Sequence, residues 1–190
     1  KMIVMQKEDL ATFDKIKKIK NIKIVKQKKN GYGNALIEGI KATKTKYCCI
    51  INADGSMNPK YLKRMLTLCE KKDLVFTSRY QKPGGGSEDD DVVTSTGNFF
   101  FTFFGNLFFK LNISDILFTY ILGKTKSFKK MKLSRHDFRI CVELPIKAKR
   151  LKFEYECIPS FERVRIGGKK KVNPIKDGFL ILTEMIRLFF

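Results

Sequence analysis

The chain has 190 residues, enough for one domain with a sizeable core, and its 43% apolar content is that of a globular protein. Lys and Arg number 39 against 19 Asp and Glu, a net charge of +20 that points to anionic partners: nucleic acid, acidic lipid or phosphorylated substrates. Lysine bias explains part of that charge and no nucleic-acid motif accompanies it, so nucleic acid ranks last, while five cysteines without metal-ligand spacing and a lone His136 argue against structural zinc and for reduced thiols in a cytoplasmic domain.

Met2 to Met5 reads as a strand, Asp9 to Ile19 as a helix and Ile22 to Val25 as the next strand. Gly31-Tyr32-Gly33-Asn34-Ala35 opens a helical pattern that runs to Ala42. Tyr47 to Ile51, aromatic and β-branched, is a strand that stops abruptly in Asn52-Ala53-Asp54-Gly55-Ser56. Side chains alternate along an extended chain, so Asn52 and Asp54 share a face and are placed to share a cation. Mg²⁺ binds through one or two carboxylates completed by substrate phosphates, which suits such an acidic strand end; Asx residues before Gly are also ordinary turn formers.

Pro59 fits the first turn of a helix over Lys60 to Lys71, and Asp73 to Thr77 forms a strand ending at Ser78-Arg79-Tyr80. The alternation predicts an α/β fold with a mostly parallel sheet flanked by helices. Ligands of such sheets lie beyond the carboxyl ends of strands, where Asn52, Asp54, Ser78 and Arg79 would all be.

Gln81 to Asp91, rich in glycine and acid, reads as a flexible loop and candidate lid. Asn98 to Leu111 carries seven phenylalanines; Lys110 and the limited length argue against a membrane span. Core packing is favoured over membrane contact, although a helix apolar over so much of its surface needs cover on more than one side, from lipid or a partner. Ile113-Ser114-Asp115 leads into an apolar segment to Leu122. Arg139 to Leu151 is helical in part, with Glu143 inside it and a break or kink expected at Pro145. Phe153 to Pro159 is a strand, Glu162 to Lys171 a basic loop, and Asp177 to Phe190 a closing amphipathic helix. The lysine-rich run Lys15 to Lys29 reads as a solvated face, and Lys169 to Lys171 as part face, part binding loop.

The succession Gly31-Tyr32-Gly33-Asn34-Ala35, Asn52-Ala53-Asp54, Ser78-Arg79-Tyr80, Ser114-Asp115, Glu143, and Pro159-Ser160-Phe161-Glu162 followed by Arg165-Ile166-Gly167 and Lys170 resembles the family 2 glycosyltransferases. Among these it is most similar to the bacterial branch of polyprenyl-phosphate hexose synthases and cell-wall glycosyltransferases. The resemblance spans nearly the whole chain. It implies a GT-A fold over residues 1–190 and inverting transfer of a hexose from a nucleotide-diphosphate sugar to a lipid-phosphate or glycan acceptor, assisted by Mg²⁺ or Mn²⁺. Asp54 falls on the family's Asp-x-Asp motif as metal ligand, with Asn52 beside it. Gly33, Ser78, Arg79, Arg165 and Lys170 are implied in substrate binding, Glu143 at the acceptor, and Asp115 as the base that activates it. The Phe-rich helix and the basic loops, acting together on anionic lipid, point to a cytoplasmic protein with peripheral contact at the inner face of a membrane. Two departures stand out: no Pro-x-x-Asn-Glu strand precedes Lys1, and Met5-Gln6-Lys7-Glu8 replaces the family's Asp-Asp-Gly-Ser. They motivate a second reading, a catalytically impaired GT-A module that binds a partner or a membrane.

Overall fold

A computed structural model describes residues 1–168 and 170–190; Lys169, within the second lysine run, lies outside them. Strands β1 (Met2–Met5) and β2 (Lys23–Lys26) pair in parallel around helix α1 (Leu10–Ile16). Helix α2 (Tyr32–Ala42) then leads to β3 (Tyr47–Ile50), and a 3-10 turn at Pro59–Tyr61 opens α3 (Leu62–Cys69) before β4 (Leu74–Ser78). A two-residue strand β5 (Gly86–Ser87) interrupts the acidic loop, followed by α4 (Val92–Phe109), β6 (Ile121–Lys124), α5 (Thr125–Lys130) and α6 (Ile140–Arg150). The chain closes with β7 (Tyr155–Pro159), a short β8 (Phe161–Glu162) paired to β5, and α7 (Pro174–Phe189).

The main sheet has the order β3-β6-β4-β7. β3, β4 and β7 run one way and β6, between β3 and β4, runs the other. The expected parallel direction thus holds for three of four strands, and the sheet is mixed because of one reversed strand. That geometry decides where the site lies: the carboxyl ends of β3, β4 and β7 share a rim with the amino end of β6. Residues just before Ile121 therefore arrive at the same edge as those just after Ile50 and Ser78.

Both faces of the sheet are covered, and side-chain alternation assigns neighbours to opposite layers. Leu74, Phe76 and Ile121 face α2, α5 and α6, packing with Ile40, Phe128 and Leu144. Val75, Tyr120 and Leu122 face α3, packing with Met65 and Cys69. Of the break or kink expected at Pro145, the break does not occur: α6 runs through it. Eight of the eleven residues of α6 are buried, and apolar burial at roughly 1.5–3 kcal/mol per large side chain outweighs a proline cost of about 3 kcal/mol. All five cysteines are free thiols; burial pushes Cys69 up to about 11 and Cys49 and Cys141 up to about 12, which keeps them protonated and unreactive at neutral pH.

Helix α4 is turned inside out. Its start is fixed by a capping box between Asp91 and Thr94. Asn98, Thr102 and Asn106, spaced four apart, make a polar stripe that faces inward. Asn98 Oδ1 accepts from the Leu117 amide, Thr102 Oγ1 from the Ile116 amide, and Asn106 both donates to and accepts from Ile113, at 2.8–3.1 Å. These bonds hold the irregular 113–117 segment in place. The phenylalanines are consequently divided: Phe101, Phe104 and Phe109 pack against the α6–α7 layer, whereas Phe99, Phe100, Phe103 and Phe108 are more than half exposed. Core packing thus accounts for only part of the run, because the inward face is spent on polar side chains that satisfy backbone amides.

Candidate active site

Beyond β3 the chain turns at Asp54, Gly55 and Ser56. Asp54 Oδ1 accepts from the Ser56 amide (3.1 Å) and hydroxyl (2.8 Å), and Gly55 adopts φ +85°, the left-handed region. The basic loop lies across this turn: the Ile166 amide donates to the Asp54 carbonyl and the Arg163 amide to that of Ser56. Arg165 is thereby set between two carboxylates, bidentate to Asp89 at 2.5–3.0 Å and with Nη1 3.9 Å from Asp54 Oδ2. Arg165 holds the Asp89 carboxyl below its usual range. Asn52 is occupied differently, its Oδ1 accepting from the Tyr32 hydroxyl at 3.3 Å while Tyr32 also bonds Thr119 and stacks on Phe138.

Gly31 and Gly33 let the first turn of α2 rest on the backbone of residues 135–137, where the Asn34 amide donates to the His136 carbonyl. A Cβ on Gly33 would lie 2.2 Å from the Arg135 carbonyl oxygen. Gly33→Ala is therefore expected to cost about 1–3 kcal/mol by overpacking. On an unobstructed helix the same change stabilises by up to about 1 kcal/mol, so the sign of the shift in Tm decides.

Beyond β4 the side chains bind one another. The Ser78 hydroxyl accepts from the Tyr80 amide and from Ser114, tying this edge to the segment before β6. Arg79 meets three carboxylates. Asp115 takes its Nε, Nη2 and backbone amide at 2.8–3.1 Å, Glu162 takes Nη1 at 3.2 Å, and Asp90 lies 3.4 Å away. The guanidinium also lies over the Phe118 ring at 4.7 Å. Burial alone would lower the Arg79 pKa, but the Asp115 and Glu162 carboxylates more than offset it and hold the group above its ordinary value.

These contacts revise several expectations drawn from sequence. Asp115, implied as a base, is fully buried with both oxygens engaged by Arg79, so an oxygen must first be released before it can take a proton. Arg79 is neutralised by protein carboxylates before any phosphate arrives. Glu143 is not at an acceptor surface: its side chain has no exposure and accepts from the Ser134 and Arg135 amides and the Ser134 hydroxyl, with Lys147 at 2.7 Å. A carboxylate inside a helix found partners in the adjacent turn. Lys170 pairs with Asp91 and Thr94 at the start of α4. The acidic loop, read as flexible, is pinned by β5–β8 pairing, by Ser87 to Glu162 and by Arg165 and Lys170. Tyr32, Asp89, Asp90, Thr119 and Glu162 belong to the site without having been singled out. Two of them carried a signal: Tyr32 its place in the Gly-Tyr-Gly-Asn-Ala motif and Glu162 its place in the Pro-Ser-Phe-Glu motif.

Among the described residues no group of three or more His, Cys, Asp or Glu side chains is placed to hold a metal unaided. One carboxylate with an oxygen left to an ion pair at 3.9 Å suits a Mg²⁺-type ion that keeps water and takes its remaining ligands from phosphates.

A mixed sheet between helix layers, with acidic and basic loops meeting at one rim, defines a GT-A fold. The sequence profile of glycosyl transferase family 2 matches residues 8–132, and the chain belongs to that family. No match was found among curated proteins. Similar solved structures include a mycobacterial protein at 10% identity with a TM-score of 0.69 over 98% of this chain and 62% of that one. Glucosyl-3-phosphoglycerate synthase from Mycobacterium tuberculosis, with Mn²⁺, uridine diphosphate and glucosyl-3-phosphoglycerate, is 12% identical with a TM-score of 0.70 over 98% and 67%. The same enzyme with Mg²⁺ and uridine diphosphate gives 12% and 0.66 over 98% and 66%. At such identities the likeness is one of fold. The chain spans about two thirds of the length of these proteins or slightly less.

Proposed function

We propose that this domain transfers a hexose, with inversion, from a nucleotide-diphosphate sugar to a lipid-phosphate or glycan acceptor, in the manner of the polyprenyl-phosphate hexose synthases, at the cytoplasmic face of a membrane. The observation that carries this reading is the Asp54 carboxylate at the sheet rim, one oxygen tied back by Ser56 and the other 3.9 Å from Arg165. Solved relatives that hold uridine diphosphate with Mn²⁺ or Mg²⁺ support the same cofactors for this chain.

Asp54, with Asn52 beside it, would hold the cation, which when bound neutralises charge developing on the diphosphate leaving group. Arg165 is already poised between Asp54 and Asp89, and its planar fork matches phosphate oxygens. Arg79 would exchange its bonds to Asp115 for phosphate oxygens. That exchange frees an Asp115 oxygen to accept the proton of the acceptor hydroxyl, as a base must lie within hydrogen-bond reach of it. For the acceptor there is a cleft of about 390 Å³ whose lining includes Tyr80, Ser95, Phe99, Phe100 and Ser114, rings and hydroxyls without a charged side chain. Such a lining suits a sugar face or an isoprenoid chain.

In a donor-hydrolysis and transfer assay with uridine-diphosphate sugars and Mn²⁺, Asp54→Ala is expected to lower kcat by roughly 10²–10³-fold, the scale for losing a group that stabilises developing charge. Metal-dependent turnover unchanged by the substitution rejects the assignment. The second reading, an impaired GT-A module, is favoured by the closed Arg79–Asp115 pair. Tight, metal-dependent binding of a nucleotide sugar by calorimetry, lost in Asp54→Ala, opposes it.

A further inference from the structure

We propose that α4 and α7 together form a face that docks onto an anionic lipid bilayer. On α4, Val92, Phe99, Phe103 and Leu107 follow helical spacing and are each more than half exposed, the polar stripe of that helix being turned inward. On α7, Ile175, Phe179, Leu182, Ile186 and Phe189 repeat every three or four residues, with Phe179 67% exposed. The helices pack side by side, and Phe108 meets Phe189 at 5.6 Å between ring centroids, so the two stripes form one surface.

Charge selects the occupant. From Val92 to Phe109 no residue is ionisable. The two carboxylates of α7 are engaged: Glu184 is buried between Arg135 and Arg187, and Asp177 accepts from the Asn173 amide. The cations at the border are Lys110 and Lys176, with Lys149 and Arg150 lining a cleft that also contains Phe108 and Phe189. An apolar surface with a basic border and no free acid on either helix is the pattern of an interfacial element that inserts rings between acyl chains and sets cations against acidic headgroups. A second copy of this chain would bring two such borders together at +20 each, which disfavours self-association. Among the described residues no helix is long and apolar enough to cross a membrane, so the helices would lie along the surface.

The test is flotation of the full chain with vesicles of phosphatidylcholine alone or with about 30% phosphatidylserine, without donor or acceptor. Partition is expected to be about tenfold or more greater on the acidic vesicles and to fall with salt. Phe103→Ser/Phe179→Ser, both exposed, is expected to reduce it about tenfold or more, with the thermal melt unchanged. Lys149→Glu/Lys176→Glu is expected to lose the preference for acidic vesicles. Wild type that stays in solution with acidic vesicles at low salt, or a phenylalanine variant that floats equally well, overturns the proposal. So does a stable dimer in sedimentation that the same variant dissociates. No sugar transfer enters this readout, so its failure and that of the transferase reading are separable.

Discussion

Asp115→Ala is expected to lower stability by about 3–5 kcal/mol, the cost of removing one partner of a buried ion pair. At roughly 2–4 °C per kcal/mol for a domain near this size, Tm falls by about 6–20 °C. Asp115 is fully buried and Arg79 nearly so. The alanine leaves the guanidinium with Glu162 and a more distant Asp90, and deprives the Arg79 amide of its acceptor. An exposed, unpaired carboxylate on a loop would give a change within about 0.5 kcal/mol, so the melt tells a closed pair from an open one before any assay of transfer. Arg79→Met/Asp115→Leu removes both charges at once. Since buried pairs replaced by apolar groups are often neutral in stability, the double variant is expected to recover most of the loss. A Tm for Asp115→Ala equal to wild type would show that the pair is not closed in solution.

The second large effect is expected at Glu143. Alanine there strips acceptors from the Ser134 and Arg135 amides and leaves Lys147 without its carboxylate, only the Lys132 carbonyl remaining, at about 3–5 kcal/mol. Its consequence travels. Residues 135–137 form the ledge on which Gly31 and Gly33 rest, and His136 accepts from the Asn34 amide. Hydrogen exchange at Ser134, Arg135 and Asn34 is expected to accelerate together, although Glu143 touches neither glycine. Acid should mimic the substitution. Burial works to raise the Glu143 pKa, but Lys147 and the Arg135 and Ser134 donors hold it below its ordinary value. A depressed folded-state pKa contributes stability that is present above the unfolded value of about 4.3 and disappears as pH falls through the folded one. Wild type and Glu143→Gln should therefore differ at pH 7 and converge in acid. A difference that grows on acidification contradicts the tether.

The strand ends were legible in the sequence because each combines a short apolar run with an abrupt turn; Tyr47 to Ile50 and Leu74 to Ser78 sit within a residue of where periodicity puts them. The family order was legible for the same reason, since its motifs occupy those turns. β6 was not. Ile121-Leu122-Gly123 is buried on both faces, so no alternation marks it, and Gly123 weakens any strand signal. Nor could spacing reveal that Arg79 would close on Asp115 and Glu162, 36 and 83 residues away. Local chemistry said that Arg79 needs anions, and the adjacent acidic loop supplies one of them in Asp90; that Asp115 and Glu162 take most of its bonds was set by tertiary structure. For α4 the sequence showed that the phenylalanines need cover on more than one side, but not which rings face out: hydropathy counts rings, and cannot tell that Asn98, Thr102 and Asn106 claim the inner side.

The reversed strand has a consequence for how the protein is made. β3 and β4 are not hydrogen-bonded to each other; each pairs with β6, which is synthesised some 40 to 70 residues later. Until residue 124 clears the ribosome, both strands carry open edges, and Tyr47 to Ile50 and Leu74 to Ser78 are apolar enough to recruit a neighbouring nascent chain. β6 is therefore needed to join β3 to β4, and the edge where the segments after β3 and β4 meet the one before β6 cannot form until it is made.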